Sequence, residues 1–128
     1  MEPDVLILVG TNKWEETGVF IKRSRYHQGR VCYTSLKTKC AIRWNPELSA
    51  WLIDRRGLLY DNEASLIAYE DVIHPGLVTA NWLVYNDDME AWVPSENYRI
   101  ESVNITEFFF KSEQIFADCN INNNNTNN

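Results

Sequence analysis

A chain of 128 residues is about one domain's worth, and Asp and Glu outnumber Lys and Arg by 18 to 12, for a net charge of −6. That balance argues against a protein that coats polyanions over its whole surface. The cysteines, Cys32, Cys40 and Cys119, lack the spacing of a zinc knuckle.

The N-terminus, Met1-Glu2-Pro3-Asp4, is acidic, and the apolar run Val5 to Val9 is short. Neither fits a signal peptide or a membrane span, so a cytoplasmic location and no membrane partner are expected. After Gly10 comes Trp14, flanked by Lys13 and Glu15, which is expected to be exposed and is a candidate interface anchor. A second strand is predicted from Val19 to Lys22. The polar segment Lys22-Arg23-Ser24-Arg25-Tyr26-His27-Gln28-Gly29-Arg30 then reads as an exposed connection. Its cations can neutralise an anion, and Tyr26 offers a ring that can stack on a base.

Arg30 to Leu36 alternates as a strand, and so do Cys40, Ile42 and Trp44. Pro46 cannot donate to a ladder, so Asn45-Pro46 opens a turn, and Trp51 and Ile53 resume on the return strand. Leu58 to Tyr60 starts another short run. Ser65 to Tyr69 fits either a strand or a helical turn, and His74-Pro75 ends it. Trp82, Val84 and Tyr85 pair with Trp92 and Val93. Tyr98 to Ile105 continues in alternation. Phe108, Ser112, Ile115 and Cys119 fall at helical spacing, so a short C-terminal helix is an alternative to a last strand there. Asn120 to Asn128 is almost pure Asn, a disordered tail of the kind common in AT-rich eukaryotic genomes.

These elements predict an all-β fold, a small antiparallel barrel or sandwich of about eight short strands in one domain, residues 1–119. Within it one hairpin recurs. Trp44-Asn45-Pro46-Glu47-Leu48-Ser49-Ala50-Trp51 aligns with Tyr85-Asn86-Asp87-Asp88-Met89-Glu90-Ala91-Trp92 at an offset of 41 residues. A propeller needs more copies of such a unit, so the echo reads as one hairpin type used twice. The alternation places Trp44, Trp51, Trp82 and Trp92 in the core.

Gly29-Arg30-Val31-Cys32-Tyr33, the aromatic hairpin Trp44 to Ile53, the stretch Ala64 to Pro75 and Trp82-Leu83-Val84 together resemble an aromatic-rich repeat module of large protist and algal proteins. The pattern's usual Pro after Gly-Arg is Val31 here. The resemblance implies an all-β module without known chemistry and carries over no catalytic residue.

Tests for chemistry find little. His27 and His74 have no local partner spacing for nucleophilic catalysis or a metal. The acidic turns Asp61-Asn62-Glu63 and Asp87-Asp88 lack the glycine of a calcium loop. No cofactor or metal is expected. From Thr17 to Arg56 nine basic residues stand against two acids, and from Gly57 onward two stand against twelve. This polarity, with Trp14, Lys22, Arg23, Arg25, Tyr26 and Arg30 as candidate binding residues, favours a non-enzymatic interaction module whose partner is a protein with an acidic surface. Nucleic-acid or phosphate binding through residues 22–30 is the alternative, and a hydrolase using two carboxylates a third. A homodimer through Phe108-Phe109-Phe110 is a further expectation.

Overall fold

Period-two alternation, broken at glycines and Asn-led turns, produces short strands joined by tight connections. The computed structural model describes residues 2–10, 18–58 and 64–103. Trp14, Phe108–Phe110, the segment predicted as a C-terminal helix or last strand, and the Asn-rich tail lie outside them. The strands are β1 (Val5–Val9), β2 (Gly18–Lys22), β3 (Tyr33–Ser35), β4 (Ala41–Asn45), β5 (Ala50–Asp54), β6 (Leu66–Ala68), β7 (Trp82–Asn86), β8 (Ala91–Ser95) and β9 (Arg99–Val103). The segment Ser65 to Tyr69, ambiguous in sequence, therefore contains a strand, Leu66–Ala68, and not a helical turn. A 3-10 turn, Pro75–Leu77, follows it.

All nine strands form one antiparallel sheet in the order β8-β7-β6-β5-β4-β3-β2-β1-β9. From β1 to β8 the chain is a simple meander, and β9 then pairs with β1. In an alternating meander β1 and β7 run the same way. β8 is antiparallel to β7, and β9 is antiparallel to β1, so β8 and β9 also share a direction. Only Glu96, Asn97 and Tyr98 separate them. Four residue steps span at most about 14 Å, so the end of β8 and the start of β9, at the two ends of the sheet order, lie within that distance of each other. The sheet is curled, and Ala91 to Val103 acts as one bent strand that serves β7 with its first half and β1 with its second. The expectation of about eight strands thus corresponds to nine, of which two are halves of one.

Curling gives the sheet an inside. Leu6, Phe20, Tyr33, Ile42, Ile53 and Leu66, from six successive strands, meet in one buried cluster with Trp44, Trp51 and Trp82. The connection from Tyr69 to Asn81 packs against this cluster through Val72 and Val78. The indole Nε1 of Trp51 donates to the Val72 carbonyl at 2.9 Å, and Glu70 holds the far side by accepting from the backbone N–H of Thr79 at 2.8 Å and of Ala80 at 3.1 Å. Gly76 lies so close to β9 that an added Cβ would stand 2.2 Å from Ser102 Oγ.

The two hairpins predicted from the echo are present and alike in detail. Trp44 pairs with Trp51 across β4 and β5, and Tyr85 with Trp92 across β7 and β8. Both pairs meet edge to face, with ring centroids 5.5 and 5.7 Å apart. Asn45 Oδ1 accepts from the Leu48 N–H at 3.1 Å, and Asn86 Oδ1 accepts from the Met89 N–H at 3.0 Å. The last turn residue is left-handed in each, Ser49 at φ 49° and Glu90 at φ 52°.

One expectation fails. Trp44 and Trp51 are buried, as is Trp82, but Trp92 is 37% exposed and Tyr85 is 48% exposed. The reason is topological. β4 and β7 are separated by an odd number of strand steps, so the two hairpins point to opposite ends of the sheet. Both place the first strand on the same side of the second. Reversing direction while keeping that order requires a half-turn about an axis lying in the sheet, and this turns the hairpin over. The aromatic pair that faces inward in the first copy faces outward in the second. Trp82 and Val84 keep β7 attached to the core through the opposite parity.

Candidate functional site

The basic segment is a small hairpin of its own. Arg23 N–H donates to the Cys32 carbonyl at 2.9 Å, and His27 and Arg30 exchange backbone hydrogen bonds of 2.9 and 3.2 Å. Gln28 and Gly29 between them both have positive φ, 52° and 83°, as a two-residue turn matched to strand twist requires. The Cys32 thiol contacts the Arg25 carbonyl at 3.5 Å. Burial pushes that thiol's pKa up, with Arg23 pulling weakly the other way. Cys32 and Cys40 are both buried free thiols.

The structure divides the candidate residues into two groups. Arg30 is fastened into the fold. Its guanidinium stacks on the Trp44 ring at 3.7 Å, donates to the Val72 carbonyl at 2.7 Å and pairs with Asp71 at 2.6 Å. It therefore ties the basic hairpin, the first aromatic hairpin and the Tyr69–Asn81 connection together. Lys22 pairs with Asp4 at 3.4 Å. The Tyr26 hydroxyl donates to the Glu2 carboxylate, which raises the phenol's pKa. Its ring stays 60% exposed. Arg23 and Arg25 are exposed, and neither guanidinium has an ion-pair partner among the described residues. Trp14 lies outside the described residues, so it is not placed relative to this set.

Two adjoining depressions share Arg23 and Ser24. One, of about 380 Å³, runs over Ile21, Thr34 and Leu36. The other, of about 350 Å³, is lined by Arg25, Tyr26, His27, Cys32 and Leu58. Arg23 forms the ridge between them. Elsewhere, a depression of about 100 Å³ beside Asp54 holds one carboxylate, already engaged by Arg43 at 3.2 Å and Arg56 at 3.3 Å. Among the described residues it offers no second acid for glycoside chemistry. Among the described residues no group of three or more His, Cys, Asp or Glu could hold a metal ion, and no helix is long and apolar enough to cross a membrane.

Sequence reasoning missed two things. Asp71 and the Val72 carbonyl, the partners of Arg30, are more than 40 residues from it, and no local spacing announces them. The outward aromatic pair was hidden by the face inversion. No protein-family model matches the chain, and no curated protein and no solved structure matches it.

Proposed function

We propose that this protein is a non-catalytic interaction module that uses the Arg23-Ser24-Arg25 ridge, with the Tyr26 ring beside it, to hold an acidic segment of a partner protein. One observation carries this reading: Arg23 and Arg25 are presented on a hydrogen-bonded hairpin with no ion-pair partner among the described residues, while Lys22 and Arg30 beside them are engaged. Cations already held by internal carboxylates have little left for a ligand, whereas unpaired guanidiniums can take a carboxylate in bidentate fashion. Glu2, Asp4 and Asp71 interleave negative charge along the same edge. That pattern suits discrete carboxylate side chains better than the continuous charge of a nucleic-acid backbone. The resemblance to an aromatic-rich module without known chemistry is compatible with this reading.

The test is titration of the full chain with an Asp/Glu-rich peptide and, separately, with a short single-stranded RNA, at low salt. The peptide is expected to bind, and Arg23→Glu with Arg25→Glu is expected to abolish binding. Retained peptide binding in that double variant, or preferential binding of the RNA, refutes the proposal.

A further inference from the structure

The protein contains a worked example of what its second aromatic hairpin lacks. In the first hairpin the Trp44–Trp51 pair is capped by a guanidinium, with Arg30 lying 3.7 Å from the Trp44 ring centroid and anchored by Asp71 and the Val72 carbonyl. In the second, Tyr85 occupies the place of Trp44 and Trp92 that of Trp51, in the same register and at nearly the same edge-to-face geometry. Here the rings face solvent beside Met89, which is 66% exposed. Among the described residues no cation stacks on them, and no Lys or Arg occurs between Asn81 and Tyr98. What the hairpin has instead is Asp87, Asp88 and Glu90 in its turn. The first hairpin thus has the ring pair, the guanidinium and a carboxylate partner, while the second has the ring pair and the carboxylates.

We propose that the Tyr85–Trp92 face is a docking site for an arginine side chain carried by a segment of a partner protein. The guanidinium stacks on the ring pair as Arg30 does on Trp44, and the turn carboxylates at Asp87 and Asp88 take its N–H donors. Charge complementarity selects a basic occupant. The planar stacking seen internally selects arginine over lysine, because a guanidinium presents a flat, weakly hydrated face where an ammonium remains a compact hydrated charge. This site lies on a different hairpin from the Arg23–Arg25 ridge and does not depend on it.

The experiment uses the full chain labelled with nitrogen-15 and the peptide Gly-Arg-Gly-Arg-Gly, capped at both ends. Its lysine and citrulline counterparts serve as controls. The Trp92 indole N–H resonance, assigned by Trp92→Phe, is expected to shift with the arginine peptide. Affinity is expected to fall roughly fivefold or more with lysine and to vanish with citrulline, which keeps the shape and loses the charge. Trp92→Ala abolishes the shift by removing its reporter, so affinity in that variant is read by calorimetry, with far-UV circular dichroism confirming the fold. Asp87→Asn with Asp88→Asn leaves the ring pair intact and is expected to weaken binding. Equal binding of the three peptides, unchanged affinity in Trp92→Ala, or no shift at millimolar peptide overturns the proposal. Sedimentation that shows a dimer lost in Arg23→Ser with Arg25→Ser would put a second copy of this chain in the site and overturn it equally.

Discussion

Truncating the two corresponding tryptophans, Trp51→Ala and Trp92→Ala, separates hairpin geometry from hairpin facing. Trp51 is fully buried and its indole also bonds the Val72 carbonyl. Its loss leaves a cavity among Trp44, Ile53 and the Tyr69–Asn81 connection, and is expected to cost about 3–5 kcal/mol. Trp92 is 37% exposed, so water fills the space it leaves and the cavity term disappears. What remains is partial burial and the edge-to-face contact with Tyr85, together about 1–2 kcal/mol. The gap of about 2 kcal/mol or more amounts to roughly 1 M in urea midpoint, measured by circular dichroism at an unchanged slope. Double-mutant cycles on Trp44/Trp51 and on Tyr85/Trp92 add a second constraint. The ring geometries match, so the coupling energies should agree, at about 0.5–1.5 kcal/mol each, although the single costs differ. If Trp92→Ala were as destabilising as Trp51→Ala, the inversion of the second hairpin would be refuted.

Arg30→Lys should destabilise by about 1–3 kcal/mol in the same assay, because an ammonium cannot stack on Trp44 while also holding Asp71 and the Val72 carbonyl; a neutral result would remove the clamp. Burial lowers the His74 pKa below its ordinary 6.5, so the unfolded chain binds the extra proton first, and stability present above 6.5 should be lost as pH falls through the range beneath it. His74→Gln should flatten that slope in unfolding titrations. At lower pH, backbone N–H donors from Ala80 and Thr79 hold the Glu70 pKa below 4.5, so its contribution should be lost as pH falls through the carboxylate range, and Glu70→Gln should remove this step. Gly10 sits at φ 111° with a would-be Cβ 1.4 Å from the Asn97 carbonyl oxygen, and both are backbone-fixed, so Gly10→Ala should cost about 3 kcal/mol or more in thermal unfolding.

What was legible in the sequence was local. Strand alternation placed most elements, and the Asn that opens each aromatic turn did so through side-chain bonds to its own hairpin. Burial of Trp92 was misread because facing is set by how many strands intervene, and Ser65 to Tyr69, one of those strands, was itself ambiguous. The candidate binding residues were all exposed by composition, yet Lys22, Tyr26 and Arg30 are engaged by Asp4, Glu2 and Asp71. Those partners lie 18 to 41 residues away: pairing of β1 with β2 brings Asp4 beside Lys22, and packing of the Tyr69–Asn81 connection brings Asp71 to Arg30. Arg23 and Arg25 stand out in the fold and not in the sequence, where the run of cations looks uniform.

The bend at Glu96–Tyr98 joins the two margins of the sheet by covalent bonds, since β8 and β9 share no ladder. Such a seam cannot fray by losing hydrogen bonds one at a time. It fails only if the chain is cut. A protease that nicked the bend would leave most contacts in place yet free β8 and β9 to part, and their outer margins, which pair with no strand of this sheet, would then be held together by nothing and be easier for other molecules to reach. Three residues already blunt that outcome: Pro94 in β8, with no N–H to offer, and the charged pair Arg99 and Glu101 in β9.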